Sequence, residues 1–446
     1  MTAIRRMVFV GLFGLLSISS VRAQDPHPRL GELTPLVRQQ TAKHYADLEK
    51  LYKHLHANPE LSFFEEKTAA RLAQELRSLG FTVTEKVGGH GIVGVLKNGD
   101  GPVVMVRTDM DALPIVERTG LDYASKVRVK DPDGKEVGVM HACGHDMHMT
   151  CWTGVARVLT DLKDHWRGTL VFIGQPAEER GAGAKAMLDD GLFTRFPKPD
   201  YALALHCDSQ TPHGCVSMTE GLALANVDSV DILVKGKGGH GSAPHTTIDP
   251  IVIAARIVLD LQTLVSRETD PLDSAVVTVG SIHGGSKHNI IPSEVKMQLT
   301  VRSFKTTTRD KLLKGIERIA KAAAQAANAP DPEVLVDTKE FTPAMVNDEK
   351  LTRRTAAALR KCLGPDRVLT KAPVMGGEDF SRYGLAGVPI CLFRLGTEPP
   401  ERVAEDARGG RPVLSLHSDL YYPIVEPSIK TGVESLSTAA LNLLVR

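Results

Sequence analysis

Apolar positions recur at helical spacing from Lys43 to Leu55 and again from Glu65 to Leu79. The second run stops at Gly80, a residue suited to the left-handed position that closes a helix. Val103 to Val106 follows Gly101-Pro102 as a compact apolar run, the mark of a buried strand. A helical stretch (His148 to Leu162), a strand (Thr169 to Ile173), a helix (Ala182 to Asp189) and a strand (Tyr201 to Leu205) come next. Such alternation predicts an α/β sheet with helices on its faces. The residues before about position 40 are polar with scattered prolines and read as a loose lead-in.

The pattern changes after Leu222. Val227 to Val234 alternates like a strand, Asp249 to Val265 reads as a helix, and Ala275 to Ile282 and Val295 to Phe304 read as two further strands. An alanine-rich helix (Arg309 to Ala327) and a short strand (Glu333 to Asp337) complete a βαββαβ order, the split-βαβ or ferredoxin-like arrangement. Helix–strand alternation resumes after Thr342. The expected architecture is a large discontinuous α/β domain with a central sheet and flanking helices, made of residues 24–222 and 342–446, with a small domain inserted at 223–341.

Two features outside this pattern change the picture. Arg5 and Arg6 precede an apolar run from Met7 to Leu16, and Val21-Arg22-Ala23 ends the segment. That is the layout of a secretory leader, with cleavage expected between Ala23 and Gln24 and a periplasmic or secreted product. The run is too short for a comfortable membrane span, so an integral membrane protein is not expected. The formal charge of +1 over 446 residues, with 24% charged residues, carries no basic footprint for a nucleic-acid partner. Of the six cysteines, Cys207 and Cys215 are close enough in sequence to pair, but a chain of this size does not need a disulfide framework.

Candidate chemistry sits at four places. Met140 to His148 holds Cys143 and His145 on either side of Gly144. A thiolate and an imidazole so spaced can reach one metal ion or a close pair, and Asp146 is placed to hold a ligand histidine through its second ring nitrogen. Glu178 and Glu179 follow the strand ending near Ile173, where open α/β sheets carry their active groups. One such carboxylate can bind metal while its neighbour acts as general base; alone, the pair would merely suit a helix start. His206 closes the strand Ala202 to Leu205, and His417 lies in Leu416-His417-Ser418-Asp419. Cys143, His145, Glu179, His206 and His417 together make a sensible ligand count for two cations with one shared bridge.

The ordered segments HANPELS (56–62), RTDMDALP (107–114), MHACGHDMH (140–148), QPAEE (175–179), GKGGHGSAPH (236–245), HNIIPSE (288–294), GGEDF (376–380) and LHSDLYY (416–422) resemble the dinuclear metallopeptidase family of aminoacylases. They are most similar to its hippurate hydrolase and indole-acetyl-amino-acid hydrolase branch, over nearly the whole chain from about residue 45. The resemblance implies that Cys143, His145, Glu179, His206 and His417 bind two divalent metals and that Glu178 is the general base. It implies that His240, on the inserted lid, approaches the scissile carbonyl, often across a dimer interface, and that Asn289 and Arg302 hold the substrate carboxylate. Asp109 matches the aspartate that supports the ligands, whereas Arg107 stands where distant relatives have a ligand histidine.

Thiolate and imidazole favour zinc, with manganese, cobalt or nickel as alternatives. The expected reaction is hydrolysis of an N-acyl-amino acid by a homodimer. The competing readings are an exported dipeptidase or carboxypeptidase acting on short peptides, a binding protein without turnover, and a hydrolase in which Cys143 itself attacks.

Overall fold

The computed structural model describes residues 26–131 and 134–445, so the expected leader, residues 1–23, lies outside the described residues. Eight strands form a mixed sheet in the spatial order Thr82–Val87, Gly91–Asn98, Gly168–Gln175, Val103–Asp109, Tyr201–Pro212, Ile390–Glu398, Val216–Met218 and Val368–Thr370. The four from Gly168–Gln175 to Ile390–Glu398 run parallel, and the strands on either side of them pair antiparallel. Leu170 and Phe172 enter the core on one face, Val171 and Ile173 that on the other. Burial on both faces explains why 169–173 reads as continuously apolar.

Helices Leu30–Ala57, Glu66–Ser78, His145–Asp161 and Val425–Leu444 cover the first face. The lead-in expected before residue 40 is therefore helical from Leu30. Leu30, Leu33 and Val37 are buried at helical spacing, and Pro35 lies inside the helix, where a proline normally argues against one. All six cysteines are free; the Cys207 thiol lies 3.7 Å from the Gly144 carbonyl rather than against Cys215.

Between the two stretches that build the large sheet, a separate four-stranded antiparallel sheet runs in the order Ala275–His283, Glu294–Ser303, Asn226–Lys235, Glu333–Val336. Val230, Ile232 and Val234 alternate inward and share a core with Ile253 and Ile257 of helix Pro250–Thr263 and Ile316 of helix Thr306–Gln325. Asp249 caps the first helix by accepting from the Ile251 N–H at 2.9 Å, with Pro250 at the first helical position. This unit joins the rest of the chain through reciprocal backbone bonds between Val227 and Thr342. No helix among the described residues is long and apolar enough to cross a membrane.

Candidate metal centre

Strand Val103–Asp109 lies between Gly168–Gln175 and Tyr201–Pro212. The chain passes from it to the first neighbour and then across to the second, so a crevice opens where their carboxyl ends diverge. Arg107, Asp109 and Gln175 sit at or near those ends, with Glu178 and Glu179 just beyond Gln175. His206 lies midway along Tyr201–Pro212, just past the point where Val103–Asp109 stops pairing with it. The loop carrying Cys143 drops into the same crevice and turns into helix His145–Asp161 at Gly144. That residue has φ +82, and a Cβ there would lie 2.9 Å from the Cys207 sulfur. Only glycine serves both the left-handed backbone and the close approach.

Two histidines are oriented alike. His145 donates Nδ1–H to the Asp111 carbonyl at 2.8 Å, and His206 donates Nδ1–H to the Cys207 carbonyl at 2.8 Å. Each Nε2 is thereby left with a lone pair facing the crevice. His206 Nε2 is 3.6 Å from Cys143 Sγ, and His145 Nε2 is 3.7 Å from Glu178 Oε2 and 3.8 Å from Glu179 Oε1. His417 Nε2 lies 3.5 Å from Glu179 Oε1, and its backbone, at φ 68, donates to the Ala142 carbonyl beside Cys143. Donor atoms of Cys143, His145 and His206 all fall within 4.8 Å of one another, as do those of Cys143, Glu179 and His417. Cys143 belongs to both sets.

The donor set fits divalent cations. His145 Nε2 and Glu179 Oε1 are buried without a hydrogen-bond partner, an expensive arrangement unless something else satisfies them. Burial and the surrounding carboxylates push the Cys143 thiol well up, and burial holds Glu179 at about 7. Burial pulls His145 down, yet Asp109, Asp111 and Glu179 carry it up to about 10. The carboxylates around His145 thus favour positive charge at this point of the pocket. Burial, then Glu378 and Glu179, raises Glu178 well above the usual carboxylate range, which suits a group that must take up a proton.

Asp146 does not hold a ligand histidine. Its carboxylate meets His56 Nδ1 at 2.7 Å, and His56 Nε2 meets Glu117 at 3.0 Å. His145 and His206 are held instead by the Asp111 and Cys207 carbonyls. Asp109 accepts from His148 Nδ1 at 2.7 Å, while His148 Nε2 accepts from the Cys207 N–H at 2.7 Å. With both nitrogens engaged, His148 is no ligand. Arg107 is buried among Asp109 (2.7 Å), Glu378 (2.8 Å), Asp379 (3.2 Å) and Gln175 (3.1 Å). Its guanidinium neutralises the carboxylates behind Glu178. Sequence reading assigned no role to Asp111, Glu378 or Asp379, although each lies in a motif it singled out.

Residues of the small sheet unit behave differently. Arg302 donates to the Met375 carbonyl at 2.8 Å and lies close enough for its charge to contribute to lowering His417, whose main cause is burial, to about 4. His240 is exposed, its Nδ1 engaged with the Ser242 hydroxyl at 2.7 Å, and Asn289 is exposed with its carbonyl bound by the Gly241 N–H. No hydrogen bond or ion pair links either of them to the cluster among the described residues.

Residues 105–407 match the sequence profile of peptidase family M20/M25/M40. The chain is 36% identical over 374 residues to the IAA-amino acid hydrolase ILR1-like 2 of Arabidopsis thaliana, covering 83% of this chain and 80% of that protein. It is 38% identical over 342 residues to the hippurate hydrolase of Campylobacter jejuni, covering 76% and 85%. Among solved structures it is similar to the Bacillus subtilis YXEP protein, a dinuclear metal binding peptidase from the M20 family. That match has a TM-score of 0.70 at 28% identity and covers 90% of this chain and 99% of the other.

Proposed function

The chain belongs to peptidase family M20/M25/M40, and on that premise we propose that it is a metal-dependent amidohydrolase that cleaves N-acyl-amino acids into a carboxylic acid and a free amino acid. The observation that carries this reading is the Cys143 thiol shared by two donor sets, one with His145 and His206 and one with Glu179 and His417. Glu178 stands beside both without being needed as a donor to either. The mixed sulfur, nitrogen and oxygen set suits zinc, with manganese, cobalt or nickel as alternatives. Two divalent cations held there would polarise the scissile carbonyl and make a water acidic.

Glu178 takes the proton from the attacking water and later delivers it to the leaving nitrogen, which breaks the C–N bond. Burial, then Glu378, Glu179 and Asp379, raises its affinity for a proton, and Arg107 opposes them. Arg302 offers a guanidinium that can grip the carboxylate of the amino-acid half in a bidentate pair, and Asn289 assists. In this reading the inserted unit, residues 223–341, is a lid. His240 is exposed in the protomer, and we assign it to the site of a second copy. The exposed apolar side chains of Ile251, Val252, Leu259 and Leu272 give that homodimer a surface to bury. The mature enzyme starts at Gln24 and works in the periplasm or outside the cell.

Release of free amino acid from N-benzoylglycine and N-acetyl-amino acids, measured beside free dipeptides, tests the reading. We expect kcat/KM for the acylated substrates to exceed that for dipeptides by about tenfold or more, the scale set by the desolvation cost of one unsatisfied polar group. The reverse ranking would identify a dipeptidase.

A further inference from the structure

The HANPELS segment and the residues Phe63 to Glu65, just before helix Glu66–Ser78, have no part in the mechanism above, yet they touch its centre. Ala177, immediately before Glu178, has φ 47, a left-handed backbone that a residue with a Cβ rarely adopts. Such a conformation persists only where the surroundings over-determine it. The Ala177 N–H donates to Glu65 Oε1 at 2.8 Å. The same oxygen accepts from the Phe63 N–H at 2.9 Å, and Phe63 is itself left-handed at φ 68. Glu65 is fully buried, so no bulk water can substitute for it.

A second hold comes from the same loop. Ser62 donates to Asp111 Oδ2 at 2.6 Å, and that oxygen accepts from the Glu179 N–H at 3.0 Å. The Asp111 carbonyl in turn fixes His145. The loop is anchored at its own base, where the Ala112 N–H donates to the Glu60 carbonyl at 2.8 Å and Glu60 Oε2 accepts from the Thr68 N–H at 2.8 Å.

We propose that Glu65 is a positioning residue for the reaction: by holding the Ala177 N–H it imposes the strained backbone from which Glu178 and Glu179 project. The proposal rests on Glu178 being the general base. A base must lie within hydrogen-bond reach of the proton it takes, and a displacement of about 1 Å can cost on the order of a hundredfold in rate. Ser62 and Asp111 hold Glu179 independently, so loss of Glu65 moves the base more than it disturbs metal binding.

The test is steady-state kinetics and bound-metal content of Glu65→Ala, Glu65→Gln and the double variant Glu65→Ala/Ala177→Gly, beside wild type and Glu178→Gln. In Glu65→Ala, kcat should fall about 10- to 100-fold while KM stays within about threefold and metal content is unchanged. The double variant should regain part of kcat, because glycine adopts positive φ without being held. Glu65→Gln keeps an acceptor oxygen and should stay within about threefold of wild type. That variant also decides the matter if Glu65→Ala does not fold. A full kcat in Glu65→Ala, metal loss in parallel with activity, no recovery in the double variant, or a tenfold loss in folded Glu65→Gln would each overturn the proposal. An inactive wild type or an active Glu178→Gln would bring down the reading of the reaction, and this proposal with it. An active wild type with an indifferent Glu65→Ala brings down the clamp alone.

Discussion

Replacing Arg107 with methionine should cost the fold more than any other single change near the centre. The side chain is buried and gives up bonds to Asp109, Glu378, Asp379 and Gln175 at 2.7 to 3.2 Å. Methionine matches its bulk but leaves three carboxylates without their cation. Removing one partner of a buried pair typically costs about 3–5 kcal/mol, and the several bonds here do not add, because the orphaned groups can take up protons. Burial already holds Asp379 at about 7 with Arg107 beside it. In the variant it rises further above its unfolded value near 4. An acid whose folded pKa is raised binds its proton more tightly folded than unfolded, so the folded state gains as pH falls. Because wild-type Asp379 already takes up its proton near pH 7, the deficit is about 3–5 kcal/mol well above pH 7, shrinks as pH falls toward 7, and stays at that smaller value at pH 5.5. Urea unfolding of chelator-treated protein, followed through the buried Trp152 and Trp166, reads both numbers. A deficit below about 1 kcal/mol at pH 8, the scale of an ordinary surface ion pair, would refute the reasoning. So would a deficit that widens at pH 5.5.

Burial pulls His56 down, but its bonds to Asp146 and Glu117 carry it up to about 9. A raised histidine stabilises fully below about 6.5 and loses that contribution as pH rises through about 9. Wild-type stability should therefore fall by on the order of 3 kcal/mol across that window, more than in His56→Asn; parallel profiles would refute it. Arg302→Ala should raise KM for N-acyl-amino acids about 10- to 100-fold, the worth of a charge-assisted hydrogen bond, and leave the corresponding amino amides unaffected. Equal losses on both substrates would remove Arg302 from carboxylate binding. Mass spectrometry of the protein from the cell exterior or periplasm should find a chain starting at Gln24; an intact Met1 in the cytoplasm would overturn the export reading.

Chemistry that is short-range in sequence was the most legible. Cys143 and His145 flank the turn into one helix, and Glu178 and Glu179 follow one strand, so spacing and the rule of carboxyl strand ends gathered them. His206 was expected to close a strand at Leu205, whereas that strand runs on to Pro212. His417, far along the chain, entered only through the ligand count that the other four left open. The Arg107 network was not legible, because its partners Glu378 and Asp379 lie more than 270 residues away and nothing local marks a buried guanidinium. Asp146 was misread because it neighbours His145 in sequence, whereas helical geometry turns its carboxylate toward His56. The first helix was hidden by Pro35, although Leu30, Leu33 and Val37 already carried its spacing. The role of Glu65 depends on the backbone angle of Ala177, which no residue pattern announces.

The most direct test of the account is amino-acid release from N-benzoylglycine by metal-depleted protein, with zinc, manganese or cobalt restored in turn, beside Glu178→Gln treated identically. Wild type should fall silent on depletion and recover with a divalent cation. Glu178→Gln should bind the same cations and still turn over about two to four decades more slowly. Activity that survives depletion and dies on thiol alkylation would contradict the account and make Cys143 the nucleophile.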